Sequence, residues 1–403
     1  MNLNWKLIGI LIGTTALLVL VSWFLFGRQE TPQTPPENFG SLNTQTDVSL
    51  SSGEEQSQNT NTNNAQNGSN LRIFKISDGP VAGATFVQTL NPTTTIARFV
   101  MADNGRSFDL PVDVPGAVPR VVSNTTIPGV AEVTWVGPAG ILQYVNQNAL
   151  KTLLLNLPAA TTSTQSAPVR IQFLANDIKS IAVSPDATKV VYLLQTTTGS
   201  DGYIANPDGT QARKAFSLPF AQIQLVWPTQ NTVLAYTAPA YGVMGMAFTI
   251  EVESGVVTPL LSAAGLSLSA SWGLDRVVYH TTGGTAGRIT YARNMQSGTN
   301  AAISFDPLPE QCIWSRTFIV SYCATAATYV PENYIDLYHL GTGGVGQQIV
   351  SYDSNNYATL IAIPGSADGG ITSEIDDMAL SPDERYLLYI KKGERSLWGV
   401  RLF

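Results

Sequence analysis

A seven-bladed β-propeller is the fold this sequence predicts, and three observations predict it. A short pattern recurs from residue 71 to the end of the chain with the period of a four-stranded blade. A glycine-containing turn recurs in the same phase. The composition is that of a turn-rich, strand-rich chain, with 34 Gly and 23 Pro among 403 residues.

Composition also bounds function. Charged residues make up 13% of the chain, against about 25% in ordinary globular proteins. Lys and Arg number 22 against 29 Asp and Glu, for a net charge of -7, and no basic block is present. The positive footprint that neutralises nucleic-acid phosphates is therefore missing, which excludes a nucleic-acid binder. Two His and two Cys in the whole chain exclude a His/Cys-rich metal cluster, because such sites draw three or four ligands from those types.

The first element is apolar. Residues 1–6 read as a cytoplasmic tail and 7–27 as a transmembrane signal anchor: Leu7 to Gly27 carries no charge, and as a helix it would span about 31 Å, the thickness of a hydrocarbon core. Trp5 and Trp23 lie near its ends, and Lys6 and Arg28 close it. The stretch is too long for the apolar core of a cleaved signal peptide and has neither an A-x-A-like site nor a lipobox Cys, so the anchor is expected to stay uncleaved. No Lys or Arg follows Arg28 until Arg72, whereas the tail adds its α-amino charge to Lys6; this points to a single-pass protein of the cytoplasmic membrane, N-in and C-out, with the rest extracytoplasmic. Residues 28–70 read as a disordered linker. Asn, Gln, Ser, Thr and Pro dominate from 31 onward, too little apolar surface to offset the entropy of ordering.

The repeat follows. An apolar strand ending in Trp or in Ser-Pro-Asp leads through a tight turn to a second strand ending in Tyr. Its anchors fall at Trp135, Ser184, Trp227, Trp272, Trp314 and Ser381, and the second strands reach Tyr144, Tyr192, Tyr236, Tyr279, Tyr322 and Tyr389. Glycine turns at Val114-Pro115-Gly116, Asn206 to Gly209, Glu253-Ser254-Gly255, Gln296-Ser297-Gly298 and Gly341 to Gly344 are expected between third and fourth strands, where glycine supplies a positive φ. A further blade is expected before the first Trp, with strands near 81–88, 95–101, 106–110 and 119–123. The last has strands at 375–380, 385–391 and 396–402 and lacks an outer strand. Residues 71–77 (LRIFKIS) resemble the fourth-strand segments at Arg120 and Arg213, so they are expected to close the ring of 71–403 and remove an exposed sheet edge. No soluble helix is predicted.

Ser184-Pro185-Asp186-Ala187-Thr188-Lys189-Val190-Val191-Tyr192 and Ser381-Pro382-Asp383-Glu384-Arg385-Tyr386-Leu387-Leu388-Tyr389 resemble the WD40-like repeats of TolB-type bacterial β-propellers. The motif is structural, setting a turn between the inner two strands. The resemblance implies a propeller and a place in the cell envelope, not an activity.

Candidate chemistry is sparse. The chain has no Gly-x-Ser-x-Gly elbow of a serine hydrolase and no catalytic constellation. His280, after the Tyr of an inner hairpin, and His339, expected in a third strand, read as packing or hydrogen-bonding residues rather than general bases. Cys312 and Cys323 fall opposite each other on the first two strands of the sixth blade; in an oxidising compartment they are expected to form a structural disulfide. Acidic residues gather around fourth-to-first connections: Asp78, Asp177, Asp306, Glu310, Glu374, Asp376 and Asp377. Of these Asp177, Asp306, Glu374 and Asp376 are the candidate metal ligands, with Ca2+ the cofactor they would suit; the plainer reading, turn capping and solvation with no cofactor, is preferred.

Longer connections carry the better signal. The 239–246 stretch with Tyr241, Met244 and Met246, the segment at Tyr329, and an insertion over 351–374 with Tyr352 and Tyr357 are expected on one face of the ring. Aromatic and Met side chains on rigidly mounted loops are what partner surfaces use. Tyr241, Met244, Met246 and Tyr329 are therefore the candidate protein-binding residues. The reading that follows is a membrane-anchored, extracytoplasmic, non-catalytic interaction or scaffold module that binds an envelope protein. The alternatives are a glycan or cell-wall binding module using the same face and a metal-dependent enzyme with its site at the channel mouth.

Overall fold

The computed structural model describes residues 72–89, 94–160, 169–284, 287–317, 319–353, 358–362 and 373–402. The anchor at 7–27, the linker at 28–70 and Tyr357 lie outside the described residues. Among the described residues, twenty-eight strands form seven four-stranded antiparallel sheets. After β1 (Ile73–Lys75), blade 1 comprises β2 (Val81–Gln88), β3 (Thr95–Met101), β4 (Ser107–Pro111) and β5 (Arg120–Ser123). Blade 2 comprises β6 (Val130–Val136), β7 (Ala139–Asn146), β8 (Ala149–Asn156) and β9 (Arg170–Phe173). Blade 3 runs from β10 (Ile178–Val183) through β11 (Val190–Gln195) and β12 (Ser200–Ala205) to β13 (Arg213–Leu218). Blade 4 has β14 (Ile223–Thr229), β15 (Thr232–Thr237), β16 (Met244–Glu251) and β17 (Val257–Ala264). Blade 5 has β18 (Ser267–Ala270), β19 (Arg276–Gly284), β20 (Gly287–Asn294) and β21 (Asn300–Ala302). Blade 6 has β22 (Pro307–Trp314), β23 (Val320–Ala326), β24 (Gln347–Asp353) and β25 (Ala358–Ala362), and blade 7 has β26 (Ile375–Leu380), β27 (Tyr386–Lys391) and β28 (Leu397–Arg401).

The repeat marks were markers of this geometry. Each Trp or Ser-Pro-Asp anchor lies at the end of a first strand, and the Ser-Pro-Asp turns explain themselves: Ser184 Oγ donates to Asp186 Oδ1 at 2.6 Å and accepts from the Lys189 amide at 2.9 Å. Ser381 and Asp383 repeat the bond at 2.6 Å, with the Tyr386 amide on Ser381 Oγ. In blades 3, 5 and 7 the second-strand tyrosine faces a third-strand ring at the same register. Tyr192 stacks on Tyr203, Tyr279 on Tyr291 and Tyr389 on Trp398, and Phe99 and Phe108 do so in blade 1.

Blade 7 is completed by β1. Ile73 pairs with Val400, Phe74 with Gly399 and Lys75 with Trp398, within the segment read from sequence as the closing strand. The Phe74 ring lies over Gly399 where a Cβ would stand, as Phe216 on β13 lies over Gly202 on β12; β1 thus packs as a fourth strand does. The first strands contact one another in succession from β2 to β26 and back to β2. An apolar cluster fills each blade interface, for instance Ala82, Val100, Val133 and Leu142 between blades 1 and 2 and Phe74, Phe86, Phe99 and Leu388 between blades 7 and 1.

One interface also holds a buried ion pair. Arg98 on β3 is fully buried and bidentate to Asp109 on β4, at 2.7 and 2.8 Å, while its remaining nitrogen donates to the carbonyls of Pro138 and Pro158 in blade 2.

Four expectations are corrected. An α-helix, α1 (Tyr334–His339), lies between β23 and β24, so His339 is at a helix end and not in a strand. The sequence signal failed because a helix of this length has too few turns to show a 3.6-residue period. The turn Gly341 to Gly344 closes this second-to-third insertion over 327–346 and does not join third and fourth strands. Tyr352 is a buried residue of β24, packed with Phe305, and not a loop residue. Met244 and Met246 belong to β16, and Met246 packs against the core between blades 3 and 4.

Two stability predictions follow from these contacts. Deleting 71–77 exposes an edge and strips Ile73, Phe74 and Ile76, all buried, from the last interfaces, at a cost of about 5 kcal/mol; the melting temperature should fall sharply, whereas deleting 31–70 should leave it unchanged. Arg98→Met leaves Asp109 buried and unpaired and should cost about 3–5 kcal/mol in denaturant unfolding, most of it recovered by adding Asp109→Leu.

Candidate partner face and channel mouth

Because neighbouring strands are antiparallel, the second-to-third and fourth-to-first connections emerge on the same face. Three of them join into a platform. The insertion 327–346 has its own small core of Leu308, Val330, Tyr334, Ile335 and Tyr338. Tyr334 donates to Glu374 Oε1 at 2.7 Å and Tyr338 to the carbonyl of Ile375 at 2.9 Å, which anchors α1 to the entry of blade 7. Gln347 and Gln311 exchange amide bonds beneath it, and the Ile375 amide donates to Gln347 Oε1. From blade 4, the Tyr241 amide donates to Asp336 Oδ1 at 2.9 Å and its hydroxyl to Glu332 Oε2 at 3.2 Å. From blade 5, Thr282 Oγ1 donates to the Glu332 carbonyl and Arg288 to the Pro331 carbonyl. The connections of blades 4, 5 and 6 are thus tied together by hydrogen bonds.

The platform presents apolar side chains to solvent. Tyr329 is 90% exposed, Leu340 74% and Met244 64%, with Val243 beside Met244 and Tyr241 partly exposed. The sequence-predicted set is therefore split: Tyr241, Met244 and Tyr329 lie on the platform surface, and Met246 lies half-buried behind it. Val243 falls within the 239–246 stretch without being singled out, and Leu340 was missed, since nothing in the sequence distinguishes an apolar residue at a short helix end from a core residue.

The histidines serve packing and charge. His280 is buried, with Nδ1 2.9 Å from Thr290 Oγ1 and 3.1 Å from Asp306 Oδ1. Burial pushes the Asp306 carboxyl up, but the hydrogen bond from His280 and the charges of His280 and Arg288 outweigh it and hold the group below its ordinary value. His339 Nε2 is 2.9 Å from Glu310 Oε1, and this carboxylate raises its pKa. Cys312 and Cys323 are cross-strand partners joined as a disulfide, with Cα atoms 4.1 Å apart.

The four candidate metal ligands are not brought together. Asp177 is exposed before β10, Asp306 is held by His280 and Arg288, Glu374 is buried under Tyr334, and Asp376 faces the channel. Among the described residues no group of three or more His, Cys, Asp or Glu side chains is placed to hold a metal ion.

The channel does gather other residues. It contains a cavity of about 820 Å³. Near the starts of the first strands it is lined by Glu132, Glu310, Asp376 and Asp377, with Lys392 and Arg395 from the connection after β27; towards their ends stand Trp135, Trp272 and Trp314. Asp377 is open to the solvent of the channel and lies near Asp376 and Glu132; desolvation by the surrounding protein first, and then these two carboxylates, push its carboxyl up to about 7. Glu132 is raised by burial and by Asp376, and burial lowers Lys392. The sequence placed Asp377 in a connection, Glu132 was not singled out, and the tryptophans served only as repeat marks. A period of two along the first strands, one side to the channel, is the signal that would have found them.

No protein-family model matches the chain, and no curated protein matches it. Solved structures do. An oligogalacturonate lyase from Vibrio parahaemolyticus is similar with a TM-score of 0.51 at 11% identity, over 84% of this chain and 95% of that one. An oligogalacturonate lyase in complex with manganese is similar with a TM-score of 0.53 at 8% identity, over the same shares. TolB from Acinetobacter baumannii is similar at 10% identity and a TM-score of 0.44, over 79% of this chain and 78% of that one. The likeness is one of fold.

Asp377 sets a pH dependence with a definite sign. Its folded value of about 7 lies above the ordinary 3.8, so the folded state holds the proton more tightly, and stability is progressively lost as pH rises through that window. Asp377→Asn should therefore melt above the parent protein at pH 8, with the gap closing towards pH 4. Thermal melts of both across this range check it; a gap that widens on acidification contradicts the assignment.

Proposed function

We propose that this chain is a membrane-anchored, extracytoplasmic β-propeller that acts as a non-catalytic scaffold, binding another envelope protein through the platform formed by blades 4, 5 and 6. The observation that carries this reading is the platform's build: apolar side chains held at the surface by a hydrogen-bonded underlayer, Tyr241 on Asp336 and Glu332 and α1 on Glu374 and Ile375. Large apolar groups on a rigid mount bury surface on docking while losing little conformational freedom. The dispersal of Asp177, Asp306, Glu374 and Asp376 leaves the metal-dependent alternative without a ligand set among the described residues. The uncharged 7–27 segment with its flanking Lys6 and Arg28 supports the anchor and the extracytoplasmic placement.

The test separates binding from folding. Met244→Ser, Tyr329→Ser and Leu340→Ser combined should reduce crosslinking of the protein to its envelope partner at least tenfold, since a buried anchor contributes about 1–3 kcal/mol. The melting temperature should barely move, because these groups face solvent. Met246 is left unchanged, since its truncation would disturb the blade 3 and 4 core. Undiminished crosslinking in the triple variant would place the partner surface elsewhere.

A further inference from the structure

The channel mouth holds more negative charge than its own groups neutralise. Four carboxylates, Glu132, Glu310, Asp376 and Asp377, line the cavity with two basic side chains, Lys392 and Arg395. Glu310 is matched by His339, and Asp376 lies 3.9 Å from Lys392. The Arg395 guanidinium is occupied by the carbonyls of Val81, Ala82 and Ala131. Glu132 and Asp377 are left over. Asp377 accepts only the amide of its neighbour Met378, and Glu132 has no hydrogen-bond partner among the described residues.

A second observation points into the same cavity. Tyr236 is only 4% exposed, yet it lines the channel from a second strand, paired with Gln224 on the neighbouring first strand. Its cross-strand neighbour on β16 is Ala247, so no third-strand ring stacks on it as in blades 3, 5 and 7. Its hydroxyl has no hydrogen-bond partner among the described residues. The hydroxyl lies on the cavity lining, where a bound group can reach it.

We propose that the channel mouth is a binding site for an organic cation, an alkylammonium or guanidinium group, with Glu132 and Asp377 as its counter-charges and Tyr236 as an uncharged acceptor. The lining already binds such groups internally: the Arg316 guanidinium lies 4.1 Å from the centre of the Trp272 ring, and Lys392 lies over Tyr338. The acidic side chains do not converge as a metal cage would. An anionic ligand would meet surplus like charge, and a neutral sugar would leave the two carboxylates without a counter-charge. This site is independent of the proposed partner face, because Tyr329, Leu340 and Met244 do not line the cavity.

The experiment uses the full chain in detergent at pH 8, titrated with cadaverine, with Nα-acetyl-lysine amide and Nα-acetyl-arginine amide, and with pentane-1,5-diol and cellobiose as uncharged controls. Tryptophan fluorescence and calorimetry report binding. Saturable binding of the cations and none of the controls is expected, with affinity at least tenfold weaker in Glu132→Gln/Asp377→Asn and several-fold weaker in Tyr236→Phe. The double variant should melt at or above the parent, since like charges are removed; should it unfold instead, the same titration of Asp377→Asn, expected to weaken binding several-fold, decides the matter. Tighter binding of cadaverine assigns the site to a free amine, and tighter binding of the amino-acid amides assigns it to a basic side chain of a protein. Absence of saturable cation binding below about 10 mM, unchanged affinity in the carboxylate variants, or equal binding of the diol or cellobiose overturns the proposal.

Discussion

The pairing of β1 with β28 is the constraint on which the rest of the structure depends. A propeller blade cannot bury both its faces alone; each is covered by the next blade, so an open ring would leave two faces and one edge in water. Three residues of β1 supply the missing outer strand of blade 7, and Ile73, Phe74 and Ile76 carry the apolar clusters on either side of it. The N-terminal segment of the fold is thereby joined to the last strand of the chain. Most of the contacts that hold one blade are local hairpins, but the contact that holds the ring spans nearly the whole domain.

Closure also creates the functional geometry. Once β26 lies beside β2, the first strands of all the blades stand around one axis, and the side of each strand that does not pack on a neighbour faces the channel. Residues far apart in sequence, such as Glu132 and Asp377, then share one cavity, where Glu132 helps to raise the pKa of Asp377. On the outside, closure sets blades 4, 5 and 6 at fixed angles, close enough for Tyr241 to reach Asp336 and for Thr282 to reach Glu332. The proposed partner platform and the proposed cation site are both consequences of ring geometry, not of any one blade.

Particular elements show where sequence reasoning succeeded and failed. The first-strand anchors and second-strand tyrosines were legible because the same contacts recur: Ser184 with Asp186 and Ser381 with Asp383 in the turn, Tyr192 on Tyr203 and Tyr279 on Tyr291 in the sheet. The Gly341 turn was misread because it falls one blade period after Gly298 while belonging to an insertion that breaks the period. The helix Tyr334–His339 was invisible for a related reason. It is short, and its apolar residues are fixed by Tyr334 and Tyr338 docking on Glu374 and Ile375 rather than by a periodic face. Met246 read as a loop residue because the sequence does not show where a loop ends and β16 begins.

By itself, the sequence determined the number of blades, the phase of their strands, the segment that completes the last one and the pairing of Cys312 with Cys323. These depend on local patterns: alternation, turn chemistry and hairpin register act over a few residues, so they are written where they act. Only the tertiary structure decided that Asp177, Asp306, Glu374 and Asp376 stay apart, that Tyr352 and Met246 face inward while Leu340 faces out, and that Glu132, Asp377 and Tyr236 meet in one cavity. Those outcomes depend on which side of a strand faces the axis and on which blades stand next to each other, and both are set by the closed ring rather than by any neighbouring residue.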